Sequence, residues 1–214
     1  MMEMRQPDVS TKQTILHILK TQGAHSVGEL AVQLGVTEMA VRRHIQSLEK
    51  DGFLQSAAVK LPKGRPLHRY MLAPEADKLF PKNYNVLALD LLEELEQEDS
   101  AMVERLFERR KARLAERYTE RMKGKTLSEK VTLLAQIQDE SGYMVRVHPD
   151  EEGGYTLVEH NCPISHVAYR YQQACRCELQ LFRQLLDSEV ERTECLAKGG
   201  QKCSYQIRPR RVNT

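Results

Sequence analysis

Residues 26–54 read SVGELAVQLGVTEMAVRRHIQSLEKDGFL, and the order of caps, apolar positions and glycines in this stretch decides the fold of the N-terminal part. Ser26 is suited to cap a helix, and Glu29 stands three residues on, the spacing of a capping box. Val27, Leu30, Ala31 and Leu34 recur on one helical face. Gly35 ends that helix, Val36 fills the turn and Thr37 caps the next. The second helix of the stretch turns Val41, Ile45 and Leu48 inward and ends near Gly52. Its outward face carries Thr37, Glu38, Met39, Arg42, Arg43 and Gln46.

Upstream, Ser10 caps a further helix with Thr14, Ile15, Ile18 and Leu19 on its apolar face, ending at Gly23. Residues 1–9 read as a disordered arm. Downstream, Leu54 to Val59 and Leu67 to Leu72 are strand-like, joined by Lys60-Leu61-Pro62-Lys63-Gly64-Arg65-Pro66. Three short helices, a glycine turn and a two-stranded wing stand in the order of a winged helix-turn-helix. In that fold the third helix enters the major groove. Arg42 or Arg43 can bond guanine there, and Gln46 adenine. His44 can touch phosphate. Lys60, Lys63 and Arg65 make the wing basic, which suits the negative potential of a minor groove.

Periodicity alone fits any three-helix bundle equally well, but the residues are more specific. Val27 to Thr37, Arg42 to Leu54, and the Gly64-Arg65-Pro66 wing with Tyr70 closely resemble the DeoR- and ArsR-like helix-turn-helix regulators. That resemblance implies double-stranded operator DNA as the partner.

Across 214 residues, 41% are apolar, enough for a core in each of two domains. The net charge is +2. Residues 1–72 hold ten Lys and Arg against six Asp and Glu, so the positive excess sits where phosphate binding is expected. No apolar run reaches the ~18 residues of a membrane span. Met1 to Ser10 is polar, so no secretory leader and a cytoplasmic location are expected.

The chain is expected to be α+β. The winged helix occupies 1–73, a helical linker or dimerisation region 74–140, and an α+β sensor domain with a cysteine cluster 141–214. Pro74 and Pro81 mark the first boundary. From Val86 to about Lys123 the pattern is helical, with a break near Glu98-Asp99-Ser100, and Leu127 to Asp139 forms another amphipathic helix. Apolar positions such as Leu87, Leu91 and Leu95 could pair two copies, as expected of a homodimer. Tyr143 to His148 and Tyr155 to Glu159 alternate as strands. One helix is expected from about Ile164 to Leu186. Val190 to Ala197 and Lys202 to Arg208 then form a hairpin around Gly199-Gly200.

The five cysteines, Cys162, Cys175, Cys177, Cys195 and Cys203, all fall in this last part. An odd, clustered set in a reducing compartment argues for metal, cluster or redox use over structural disulfides. Cys175 and Cys177 point about 200° apart on a helix, so one of them stands aside. Cys162, one helical cysteine, Cys195 and Cys203 can make a four-thiolate site for zinc or an iron–sulfur cluster. The competing expectation is that the cysteines are small hydrophobes packed in a core.

Asn161-Cys162-Pro163-Ile164, Cys175 before Glu178-Leu179 and Phe182, Val190-Glu191-Arg192-Thr193, and Cys203-Ser204-Tyr205-Gln206-Ile207 together resemble SufR-type regulators. Members of that family are iron–sulfur-dependent repressors with an N-terminal helix-turn-helix. The resemblance implies an iron–sulfur cluster, 4Fe-4S or another type, with Cys162, Cys175 and Cys203 matching three of the family's four cysteines. Where the fourth would stand, this chain has Ser188. Cys195, Cys177, Ser188 or His160 is left as the remaining ligand.

His148 and His166 read as surface or core residues. Arg109, Arg113, Arg117 and Arg121 recur every four residues and read as a solvated face balanced by Glu104, Glu108, Glu116 and Glu120. No Walker loop, GxSxG or HExxH is present, so no enzyme is expected. The alternative to a cluster is a winged-helix regulator that senses a small molecule or thiol oxidation.

Overall fold

The computed structural model describes residues 10–60, 62, 66–151 and 153–210. The arm expected at residues 1–9 and the wing residues Lys63, Gly64 and Arg65 lie outside them. The chain is α+β and divides into two compact units, 1–82 and 83–214.

In the first unit, α1 (Thr11–Gln22), α2 (Val27–Leu34) and α3 (Glu38–Lys50) are followed by β1 (Leu54–Val59) and β2 (Leu67–Leu72). The expected caps form. Ser10 and Ser26 each make a complete capping box, with Gln13 and Glu29 as reciprocal partners, and Thr37 accepts from the Ala40 N–H. Gly35 ends α2 at φ 65°, a left-handed conformation that glycine adopts without steric cost, and this turn sets α3 across α2. Ile15, Leu30, Val41, Ile45 and Leu48 fill the core between the helices. β1 and β2 pair antiparallel from Leu54↔Leu72 to Val59↔Leu67.

The second unit begins with the hairpin α4 (Tyr84–Glu98) and α5 (Ser100–Met122), broken at Asp99, whose carboxylate caps α5 through the Ala101 N–H. Then come α6 (Leu127–Glu140), β3 (Val145–Pro149), β4 (Tyr155–Glu159), α7 (Ser165–Arg170), α8 (Gln173–Leu186), β5 (Glu189–Glu194) and β6 (Cys203–Arg208). The four strands form one antiparallel sheet in the order β3-β4-β6-β5. Among the described residues no helix is long and apolar enough to cross a membrane.

Three expectations change. The boundary lies at 82/83 because the 3-10 turn Pro74–Leu79 stays with the winged helix, where Lys20 bonds Asp77 and Phe80 joins the core. The expected helical linker is no separate region. Val103, Phe107, Val131 and Leu134 of α5 and α6 share one core with Leu157, Phe182 and Tyr205. The single helix expected over 164–186 is two. Tyr171 leaves helical geometry and buries its ring in the core, and the Gln172 amide donates to the carbonyls of Ala168 and Ala197.

Candidate functional site

The outward face of α3 is open. Thr37, Glu38, Met39, Arg42, Arg43 and Gln46 are all exposed, while Val41, Ile45 and Leu48 on the opposite face are buried. Thr37 and Arg42 are already engaged. The Thr37 hydroxyl caps the helix, and Arg42 pairs with Glu38 at 3.2 Å. Arg43 and Gln46 have no side-chain partner among the described residues. Val32 of α2, 84% exposed, and Met39, 77% exposed, leave apolar surface on the same unit.

The wing is tied to the start of α2. His25 and Tyr70 exchange backbone hydrogen bonds at 3.0 and 2.7 Å, and Arg69 of β2 reaches the capping carboxylate of Glu29. Hydrogen bonds to Ser26, with Arg69 and His25 adding attraction, hold the Glu29 carboxyl below its usual range. Lys60 is exposed at the end of β1. The sequence reading missed Arg69 and His25, because their partners lie across the hairpin rather than nearby in sequence.

The cysteines separate into a group and an outlier. The Cys195 thiol is an electrostatic neighbour of the Cys175, Cys162 and Cys203 thiols. Four segments deliver this group: the loop before α7, the first turn of α8, the loop after β5, and the start of β6. Cys177, two residues past Cys175, points away, and its thiol donates to Glu108 of α5 at 3.4 Å. Cys195 does not lie on a strand as expected. β5 bulges between Arg192 and Glu194, and Cys195 opens a 3-10 turn closed by Gly200, whose N–H returns to the Cys195 carbonyl at 3.0 Å. A side chain at Gly200 would place its Cβ 2.9 Å from that carbonyl oxygen, so the loop requires glycine. The Cys203 sulfur accepts from the Leu196 N–H at 3.4 Å.

Burial pushes Cys162 up to about 11 and Cys175 and Cys203 to about 12, so these thiols stay protonated at neutral pH in the metal-free chain. Among the described residues no three His, Cys, Asp or Glu side chains stand at metal-ligating spacing. Thiolates are the soft donors that zinc and iron–sulfur clusters take, and ligation by these four would require them to close in around Cys195.

Of the other candidate ligands, Ser188 sits beyond the opposite end of α8, where its hydroxyl bonds the Leu186 carbonyl. His148, His160 and His166 are exposed.

Beside the thiols lies a polar network with no counterpart in the sequence reading. Glu159, fully buried on β4, accepts from Gln138 at 2.9 Å and from the Tyr205 hydroxyl at 3.5 Å. Tyr205 also donates to Glu178 at 2.8 Å. Burial drives both well above the ordinary carboxylate range, and repulsion from Glu178 adds to the rise at Glu159. Arg192 supplies partial compensation and donates to the Cys175 carbonyl at 2.9 Å.

Residues 11–65 match the family model of an HTH domain. Solved structures with partial similarity include the transcriptional regulator Tm0710 from Thermotoga maritima, with 19% identity over 64% of this chain and 76% of that one, TM-score 0.29. Lactococcus lactis ZitR, as a cysteine-to-serine mutant, is 14% identical over 46% and 83%, TM-score 0.27. A trafficking protein particle complex subunit 3 from Naegleria fowleri, covalently bound to palmitic acid, is 14% identical over 61% and 96%, TM-score 0.39. No curated protein matches the chain.

Proposed function

We propose that this chain, which carries an HTH domain at residues 11–65, is a homodimeric DNA-binding transcriptional repressor whose operator binding is controlled by a thiolate-held cofactor. The observation that carries the reading is the convergence of Cys162, Cys175 and Cys203 on Cys195 in a chain whose α3 presents Arg42, Arg43 and Gln46 outward. Arg43 and Gln46 serve as base-reading groups. Lys60, Lys63 and Arg65 serve as wing contacts to the backbone or minor groove. α4 has no buried residue and leaves Tyr84, Leu87 and Leu91 more than half exposed, which supports pairing with a second copy.

Cys162, Cys175, Cys195 and Cys203 would hold an iron–sulfur cluster, with zinc as the alternative occupant. The group would supply a cross-link between four segments that is lost when iron is lost or oxidised. Each thiol gives up its proton on ligation, and burial of Cys175 and Cys203 makes that deprotonation costlier in the metal-free chain. Arg192, bonded to the Cys175 carbonyl, holds the first turn of α8 in place. Loss of the cross-link shifts the population between DNA-competent and incompetent dimers.

Anaerobic purification followed by iron and sulfide analysis tests this. A brown protein with matching iron and sulfide supports the cluster. Zinc alone reassigns the occupant. A colourless protein with neither metal nor sulfide refutes the cofactor. The second reading is direct thiol oxidation, favoured by the neighbouring placement of the Cys175 and Cys195 thiols. It predicts a peroxide-induced disulfide in the metal-free protein, detected by mass spectrometry.

A further inference from the structure

Arg109, Arg113, Arg117 and Arg121 stand four residues apart on α5, and all four side chains are exposed. The acids expected to balance them are largely committed elsewhere. Glu104 takes Arg176 of α8 at 2.7 Å, Glu108 takes Lys111 and the Cys177 thiol, and Glu120 stands 3.8 Å from Lys123. Glu116 remains exposed beside the row. Arg105, one step earlier in the same series, pairs with Asp99 at 2.6 Å. Among the described residues, the four arginines that follow it have neither an ion pair nor a side-chain hydrogen bond.

Packing explains why the row points outward. Val103, Phe107, Ala115 and Met122 hold the opposite side of α5 in the core of the second unit. Like charges at this spacing repel along a helix, so the isolated chain keeps an unfavourable arrangement that an opposite row of charge would relieve. At about 1.5 Å rise per residue, Arg109 to Arg121 extends about 18 Å. One strand of duplex DNA presents a phosphate every 3.4 Å or so of axis, so the row spans about five phosphates. Planar guanidinium groups bind phosphate oxygens in pairs, which a row of solvated lysines does less well.

We propose that this arginine row is a second, sequence-independent contact to the backbone of duplex DNA, used by the chain alongside its helix-turn-helix. The choice of partner rests on the DNA-binding reading above. The same polyanion that α3 reads supplies the regularly spaced negative charge that the row lacks within its own fold.

The test uses the full chain and a fluorescein-labelled mixed-sequence duplex of about 40 bp, several helical turns long. Affinity is measured by anisotropy between about 50 and 200 mM salt. Each phosphate contact contributes about −0.9 to the slope of log affinity against log salt. The variant R109Q/R113Q/R117Q/R121Q is expected to have a slope less steep by about 3 to 4, and so to lose about a hundredfold less affinity across that range. The double variant R113Q/R117Q shows about half the change in slope, and the fourfold arginine-to-lysine variant keeps the wild-type slope. A fourfold glutamine variant with wild-type slope and affinity overturns the proposal, and leaves a protein partner as the occupant of the row. The R42Q/R43Q variant separates the two readings. If it binds as wild type does, the helix-turn-helix reading fails, whatever the row does. If wild type binds no duplex at all, both fail.

Discussion

Replacing Glu159 by glutamine should flatten the pH dependence of stability of the second unit. Glu159 is fully buried, and its oxygens take hydrogen bonds from Gln138 and Tyr205. Burial first, and the Glu178 carboxyl second, push it up to about 9 from an ordinary 4.5. The folded chain therefore holds this proton over a range in which the unfolded chain has released it. Below about pH 4.5 both states are protonated and the group leaves stability unaltered. As pH rises from there towards 9, the unfolded state is progressively favoured, by up to about 1.4 kcal/mol per pH unit. At pH 7 the loss is at most about 3–4 kcal/mol, a large share of the roughly 5–15 kcal/mol that stabilises an ordinary domain.

Glutamine keeps the shape and the oxygen that accepts from Gln138, and its amide can donate to Tyr205. Glu159→Gln should therefore match wild type within about 1 kcal/mol near pH 5 and exceed it by about 1–3 kcal/mol near pH 8. Urea denaturation of chelator-treated, reduced protein at both pH values measures this. Equal pH slopes for the variant and wild type, or a variant as destabilised near pH 8 as near pH 5, would refute the reasoning.

Arg43→Ala should weaken binding to a selected operator by about 1–3 kcal/mol and relax preference at one base position, read by competition with single-base variants. Ile45→Ala leaves a hole in the three-helix core at a site 1% exposed, and should cost about 2–5 kcal/mol in denaturant melts of the N-terminal unit. If the thiol group holds metal, Cys175→Ser should lose bound metal while Cys177→Ser keeps it, because only Cys175 faces Cys195. Metal analysis of both purified variants decides this, and equal loss would sink the assignment.

The local signals in the sequence were sufficient for the winged helix. Ser26 with Glu29, Gly35 and Thr37 act within a few residues of themselves, and both wing strands fall at the expected residues. The thiol group was legible only in part. Helical geometry required one of Cys175 and Cys177 to stand aside, and the fold makes it Cys177, whose thiol donates to Glu108. The displacement of Cys195 into a 3-10 turn was not legible, since it depends on a bulge in β5 and on Gly200 meeting the Cys195 carbonyl.

By itself, then, the sequence determined what short-range chemistry controls: caps, turns, helical faces, strand pairs and the presence of an arginine row on one helix. Tertiary structure alone decided what depends on distant partners. It merged the helices of 83–140 with the C-terminal core, because α5 and α6 bury their apolar faces against α8 and the sheet and α4 packs on α5 and α7. It brought Glu159 beside Glu178 and drew off Glu104 and Glu108 from the arginines, because desolvation and ion pairing act through space and carry no periodicity along the chain.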